Sequence, residues 1–489
     1  MNSCSESKIL MKLIENISNY SGNDYLAFHC PTHIGRNGFA DDLTELPGLD
    51  NLQYPSAELA LAQEEIASFF RAERSYLLTG GASLGLQVAL LALDLEFYRS
   101  QNIDGNTLGS QGFTARKKKL LLARNVHKSV IAAILQTGFD IDFLELEYNS
   151  GLDLYTAPDF SRISSKDLES GFDTFDEFLD FVNQEYCGFI LTNPSYEGFY
   201  TDLSLLDNLE IPLIVDEAHG AHYYFSDDLP SGALSAGADL VIQSWHKCLG
   251  ALTQSAVVHL NKDSKISQAS FEDSLRLLHT TSPSYLIIKS ILEQFTLFKS
   301  NGESLLKNLE LNQRLVSDKY LSRTNHDFTR MLLKVPDSMS LEDFDSLLEV
   351  NGVFYEAFSN KSVLLFLSVY HNEDDFQKLE SILEKIYSKL EQDTIHAKPI
   401  AEVKQDLEQV NNFNFAKQVI NPKYAYTQAF ELVDLNDSLD RISADFFALC
   451  PPGFPVIIPG QIINRSIIDH LKNSEDFMNL QDGKIKVLL

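Results

Sequence analysis

Ser244-Trp245-His246-Lys247 follows the strand-like run Leu240-Val241-Ile242-Gln243, and Asp216-Glu217-Ala218-His219-Gly220 follows an earlier apolar run that ends at Val215. A lysine just past one buried strand and an aspartate at the end of another are what pyridoxal phosphate chemistry needs. The Lys247 amine would form a Schiff base with the cofactor aldehyde. The Asp216 carboxylate would keep the pyridine nitrogen protonated, so that the ring accepts electrons. A carboxylate closing an apolar strand is costly unless paired, and a pyridinium is a suitable partner. Each residue also has a plainer reading, Asp216 as a helix cap and Lys247 as a surface lysine.

Further residues fall in a consistent order around that pair. Thr79-Gly80-Gly81-Ala82-Ser83 lies between a strand and a helix. Its glycines let the backbone approach a phosphate, and the helix start offers free N–H groups, with the Ser83 hydroxyl beside them. Ser244 and His246 are further candidate phosphate donors. His127 begins a helix after the strand ending at Ala123, where it would stack on a cofactor ring or act as acid or base; its plainer reading is a capping histidine. His219 would share the side of Asp216 if a helical turn follows. Cys450 is a candidate proton donor to the substrate α-carbon, beside Lys247 and His246, and its plainer reading is a small buried apolar residue.

The elements that must position these residues alternate. Helices are expected over 57–70, 83–95, 127–137, 175–185 and 203–209, and strands over 75–78, 120–123, 142–146, 188–192, 212–216 and 240–243. Short, fully apolar strands separated by helices indicate an α/β fold, a mostly parallel sheet covered on both faces. Ligands of such sheets sit at the carboxyl ends of the strands, where Thr79, Asn125, Asn193, Asp216 and Ser244 fall. Residues 1–55 read as an irregular arm or site rim, 56–290 as the cofactor-binding major domain, and 291–489 as a smaller C-terminal α/β domain. Residues 100–112 read as a surface loop, 148–175 as loop-rich, and 372–418 as helix-periodic with a linker near 392–400.

The chain has 489 residues, 44% of them apolar and 11% aromatic, enough for two or three cores. No apolar run of about 18 residues appears, and the start lacks the pattern of a secretory signal. Five scattered cysteines (4, 30, 187, 248 and 450) have no metal-ligand spacing, so no bound metal is expected and a reducing cytoplasm is. The net charge of −30 argues against nucleic acid and anionic membrane surfaces, and would help to draw in a cationic substrate.

Taken together, these residues resemble the fold-type-I pyridoxal phosphate enzymes, and more narrowly the ornithine/lysine/arginine decarboxylase family. Further matches are Phe28-His29-Cys30-Pro31-Thr32-His33, Asp42 to Asp50, Thr280-Thr281-Ser282-Pro283-Ser284-Tyr285, and Cys450-Pro451-Pro452-Gly453-Phe454-Pro455 with Pro459-Gly460. The length is similar to the family's shorter members, without an N-terminal regulatory domain. The resemblance implies that Lys247 carries the cofactor, Asp216 pairs the pyridine nitrogen, His127 stacks on the ring and His219 lies beside it. It implies that Gly81, Ala82, Ser83, Ser244 and His246 hold the phosphate. The implied reaction is α-decarboxylation of a small cationic amino acid to an amine of polyamine biosynthesis, with arginine favoured over lysine and ornithine. The implied assembly is a homodimer or higher homo-oligomer with the active site at the interface. Two places depart from the family: its usual Pro-Gly-His-Lys is Pro31-Thr32-His33-Ile34, and its acidic residue after the late Pro-Gly is Gln461. Two alternatives stand beside this reading. One is amino transfer, with Arg330 gripping a substrate carboxylate; the other is a non-catalytic, decarboxylase-like regulator.

Overall fold

The short apolar runs form strands because both of their faces are covered: every residue of Gly188–Thr192, Leu213–Asp216, Leu240–Ser244 and Ala256–Leu260 is buried. The computed structural model describes residues 3–22, 28–34, 40–101, 117–158, 160, 172, 174–394, 416–449, 453–472 and 483–489. The chain divides into two compact units, each built from separate segments. The first comprises Met1–Lys118, Asp173–Asn193 and Asp202–Leu306; the second comprises Lys119–Phe172, Pro194–Thr201 and Lys307–Leu489.

In the first unit the strands lie in the order Arg74–Leu78, Ala256–Leu260, Leu240–Ser244, Leu213–Asp216, Gly188–Thr192. Ala256–Leu260 pairs antiparallel on both sides and the rest run in one direction, so Asp216 and Ser244 end on the same side of adjacent strands. Helix Gly81–Gln101 packs across this sheet and against helix Gln268–Leu278. Gly85 permits that approach, since a Cβ there would stand 2.8 Å from Ile242 and 3.0 Å from Val258. Gly81–Ser100 is long and apolar enough to cross a bilayer, although half of it is buried inside the protein.

The second unit holds the parallel strands Lys119–Ala123 and Asp140–Leu144 with helix Lys128–Thr137 between them. It also holds a four-stranded antiparallel sheet, Leu321–Ser322, Arg330–Lys334, Ser362–Phe366, Ala357–Ser359. Helices Leu341–Val350 and Glu373–Thr394 pack on that sheet, burying Phe344, Leu348, Phe376 and Leu383 with Met331, Leu333 and Val363. A last core joins Phe447, Val456 and Ile457 to Ile467, Ile468, Ile485 and Val487.

Two expectations need correction. The first residues are not irregular: Ser3–Gly22 is a helix that buries Leu10, Leu13 and Ile17 and pairs Lys12 with Glu58 at 3.0 Å. Leu10, Leu13, Ile14 and Ile17 recur at helical spacing, a local signal that the reading of residues 1–55 as irregular passed over. The helix expected over 203–209 is a single 3-10 turn, Leu203–Leu206, capped by the Asp202 side chain. The expected loop at 100–112 and linker at 392–400 lie mostly outside the described residues, as does much of 148–175.

Candidate active site

In the first unit, the turns after two neighbouring strands meet. Asp216 closes one strand and is 3% exposed; its carboxylate accepts the Ala218 N–H at 3.1 Å. Burial pushes its pKa up to about 6, opposed by the Lys247 charge and the Ala218 bond. Trp245–Cys248 is one helical turn following the other strand, and its Trp245 N–H is held by the Ser255 carbonyl at 3.0 Å. This turn places the Lys247 amine 3.1 Å from His219 Nε2, with His219 buried. Cys248 Sγ meets the Ala218 carbonyl at 3.6 Å, a second tie between the turns. The expected grouping of Asp216, His219 and Lys247 is thus present.

The candidate phosphate residues divide by what their atoms already do. Gly81, at φ +74, donates its N–H to the Gln254 carbonyl at 2.9 Å, so its contribution is conformational. Ala82 and Ser83 stand in the first turn of a long helix, where N–H groups have no intrahelical acceptor. Ser244 starts the Lys247 turn without capping it through its side chain. His246 Nδ1 donates to the Ser255 carbonyl at 3.2 Å; burial lowers its pKa, so the neutral ring presents a lone pair at Nε2. Thr79 lies 3.4 Å from Nε2 of His279, a buried histidine held neutral, at about 4, by desolvation. Nothing in the sequence reading pointed to His279, which immediately precedes the Thr280–Tyr285 match.

Two other family matches meet in this unit. The Tyr285 hydroxyl donates to the Asp50 carbonyl at 2.5 Å, and the Asp50 carboxylate accepts the N–H groups of Ser56, Ala57 and Leu59 at 2.9–3.2 Å at the start of helix Glu58–Phe70. His33 pairs with Asp42 at 3.2 Å. Of the departures nearby, Thr32 is exposed and Ile34 takes φ +49.

The second unit carries His127 and Arg124. His127 caps helix Lys128–Thr137: its Nδ1 accepts the Ser129 N–H at 3.2 Å and contacts the Ser129 hydroxyl at 2.7 Å. With Nδ1 accepting, the neutral ring carries its proton on Nε2. Gly453 lies against that ring at φ +90; a Cβ there would come within 3.0 Å of His127 Nε2. The Gly453 carbonyl also accepts the Lys128 N–H at 2.9 Å. Arg124, fully buried, stacks 4.2 Å from the Phe143 ring centre and donates to the Val456 carbonyl at 3.0 Å. Gly453 of the Cys450–Pro455 match is therefore tied to the His127 turn across more than 300 residues of sequence, which periodicity cannot reveal. Cys450 lies outside the described residues.

Arg330 stacks on Phe366 at 4.1 Å and donates to the Thr329 hydroxyl at 2.8 Å. Gln461 is fully buried; its Oε1 accepts the Ile458 N–H and its Nε2 donates to the Ala416 carbonyl, each at 3.0 Å. A carboxylate at this position would lack that donor, so the departure at Gln461 has a local structural basis.

An amine, a buried carboxylate beside it and the open first turn of a helix are a donor set that fits pyridoxal phosphate. Residues 104–326 match the model of the Orn/Lys/Arg decarboxylase major domain, and residues 405–483 match that of its C-terminal domain. The chain belongs to the Orn/Lys/Arg decarboxylase family. It is a decarboxylase, in a family of pyridoxal phosphate enzymes, and the reaction class is decarboxylation of basic amino acids. This takes the weight from amino transfer. The arginine decarboxylase of Bacillus subtilis is 25% identical over 96% of this chain and 94% of its own. The constitutive lysine decarboxylase of Escherichia coli is 26% identical over 58% of this chain and 37% of its own. Among solved structures, the lysine decarboxylase of Francisella novicida superposes with a TM-score of 0.74 at 19% identity, over 99% of this chain and 82% of that one. That likeness shows the fold-type-I α/β architecture.

Proposed function

We propose that the protein removes the α-carboxylate of a basic L-amino acid, arginine before lysine or ornithine, with Lys247 attaching pyridoxal phosphate covalently. The observation that carries this reading is the Lys247 amine, 3.1 Å from His219 and on the strand end next to buried Asp216, in a chain of this family. The cofactor supplies the electron sink that allows the carboxylate to leave as CO2. Asp216, buried and lifted to about 6, is suited to pairing with a ring cation, which would bring it back to the ionised form. His219 orients the Lys247 amine. The N–H groups of Ala82 and Ser83, with the Ser83 and Ser244 hydroxyls, hold the phosphate; His246, whose pKa burial lowers, would join them by taking up a proton at Nε2 beside the phosphate charge, and Gly81 shapes the turn. His127, whose neutral ring carries its proton on Nε2, remains the candidate for stacking on the cofactor ring by the family resemblance. Lys247, His246 and Cys450 remain the candidates for returning a proton to the α-carbon; unchanged turnover in Cys450→Ala removes the thiol.

Arginine is favoured because four relatives matched over 93–96% of their own length are named arginine decarboxylases, while the constitutive lysine decarboxylase match covers 37% of its relative. The product would be a precursor of polyamines. The acidic charge of −30 favours approach of a cationic substrate. We place the enzyme in the cytoplasm, as a homodimer or larger homo-oligomer whose subunits share the active site, with residues 56–290 as the cofactor-binding domain and 291–489 as the smaller one.

The test is CO2 release from arginine, lysine and ornithine in parallel, with added pyridoxal phosphate. Release from arginine, absent in Lys247→Ala, is expected. Release from none of the three, despite bound cofactor, would reject the reading.

A further inference from the structure

Beneath the Asp216 and Lys247 turns, a chain of buried polar side chains crosses four adjacent strand positions of the first unit. Ser75 Oγ meets His259 Nδ1 at 2.7 Å, and His259 Nε2 meets Gln243 Oε1 at 3.1 Å. Trp245 Nε1 donates to the same oxygen at 2.9 Å, and Gln243 Nε2 donates to Glu217 Oε2 at 2.7 Å. Glu217 Oε1 accepts the Ala233 N–H at 2.7 Å. All five side chains belong to buried residues.

The proton positions follow from chemistry alone. An indole N–H only donates, so the amide atom facing Trp245 is oxygen and the one facing Glu217 is nitrogen. His259 then donates from Nε2 and accepts the Ser75 hydroxyl at Nδ1, as a neutral ring; desolvation holds it at about 3. Every donor points toward Glu217, so the dipoles add along the chain. Phe70 stacks on His259 at 4.4 Å, and Phe70 and Phe295 each lie 6.0 Å from Trp245, which keeps water out.

The two ends of this chain adjoin the reactive pair. Glu217 follows Asp216 directly, while Gln243 and Trp245 flank Ser244 two to four positions before Lys247. We infer that Gln243 is a positioning residue: through Glu217 and Trp245 it fixes the spacing between the Asp216 carboxylate and the Lys247 turn, and hence how the cofactor is seated. This rests on Lys247 and Asp216 holding pyridoxal phosphate as proposed above.

The test uses the full chain titrated with pyridoxal phosphate, reading the absorbance of bound cofactor and borohydride trapping at the Lys247 peptide. Trp245→Phe keeps a ring in the core and removes one donor. It should weaken cofactor affinity about tenfold and displace the absorbance maximum, the scale of one buried hydrogen bond lost. Gln243→Met should do more; if it does not fold, Trp245→Phe decides. Phe271→Leu is the control for stability alone, since Phe271 packs on Tyr76, which points to the face opposite Ser75. It should lower the melting temperature and leave the absorbance maximum in place. If Trp245→Phe behaves like Phe271→Leu, with lower stability but wild-type affinity and spectrum, the inference is overturned. If the wild type traps no cofactor at Lys247, the cofactor reading itself fails, which is a separate and visible result.

Discussion

Two regions carry the candidate chemistry, and they are built differently. The Asp216–Lys247 region grows from adjacent strands buried on both faces, and short-range ladder bonds such as Glu217 N–H to the Ile242 carbonyl at 2.9 Å set its register. The His127 region is a helix cap whose outer side is bounded by Gly453, brought there from the far end of the chain. In the first, sheet geometry places the functional groups. In the second, a single glycine keeps the space that the ring occupies. A region of the first kind should respond to a lost charge or nucleophile, and one of the second kind to a single added methyl.

The largest effect expected is in the first region. Lys247→Ala should cost roughly a thousandfold or more in kcat/KM, the scale of losing a covalent nucleophile, measured as CO2 release. Asp216→Asn should cost on the order of a hundredfold or more in kcat while leaving the fold intact, because the amide cannot hold a ring cation. Gly453→Ala sharpens the comparison in the second region. At φ +90 a side chain costs about 1–3 kcal/mol, and its Cβ would press on His127 Nε2. Melting temperature and cofactor affinity should both fall, and a normal affinity with the alanine in place would break the account of that half.

A smaller effect concerns pH. Asp216 and Glu217 are both raised by burial, to about 6 and about 7. The folded state therefore binds protons more tightly than the unfolded one, and each group's stabilising contribution is lost as pH rises from its ordinary value to its raised one. Buried His259, lowered to about 3, acts in the opposite sense between there and its ordinary value. The clean measurement is a difference. The melting temperature of cofactor-free wild type, relative to Asp216→Asn, should fall between about pH 4 and pH 6, and bound cofactor should reduce that fall. The smallest effect on turnover belongs to Gln461→Glu. It should cost about 1–3 kcal/mol of stability, by removing the donor to Ala416 and burying a charge, and leave substrate preference unchanged.

How much of this was legible in the sequence follows the same division. Strands at 188–192 and 240–243, the turns after them, and the Asp216, His219 and Lys247 grouping were readable because apolar runs and strand-end residues are local signals. Glu217, Gln243 and His259 stood in or beside those runs, yet their pairing depends on cross-strand register, which no single run states. Gly453 and His127, and Thr79 and His279, depend on contacts distant in sequence. Helix Ser3–Gly22, by contrast, was legible in the helical spacing of Leu10, Leu13, Ile14 and Ile17, and reading residues 1–55 as a single irregular arm overlooked it.

The central claim is that Lys247 attaches the cofactor with Asp216 beside it. The most direct measurement is to incubate the purified chain with pyridoxal phosphate, reduce with borohydride, and locate the added mass by peptide mass spectrometry. The account predicts a single modified peptide carrying Lys247, lost in Lys247→Ala and weakened in Asp216→Asn. Modification at another lysine, or the same labelling after Lys247 is removed, would contradict it.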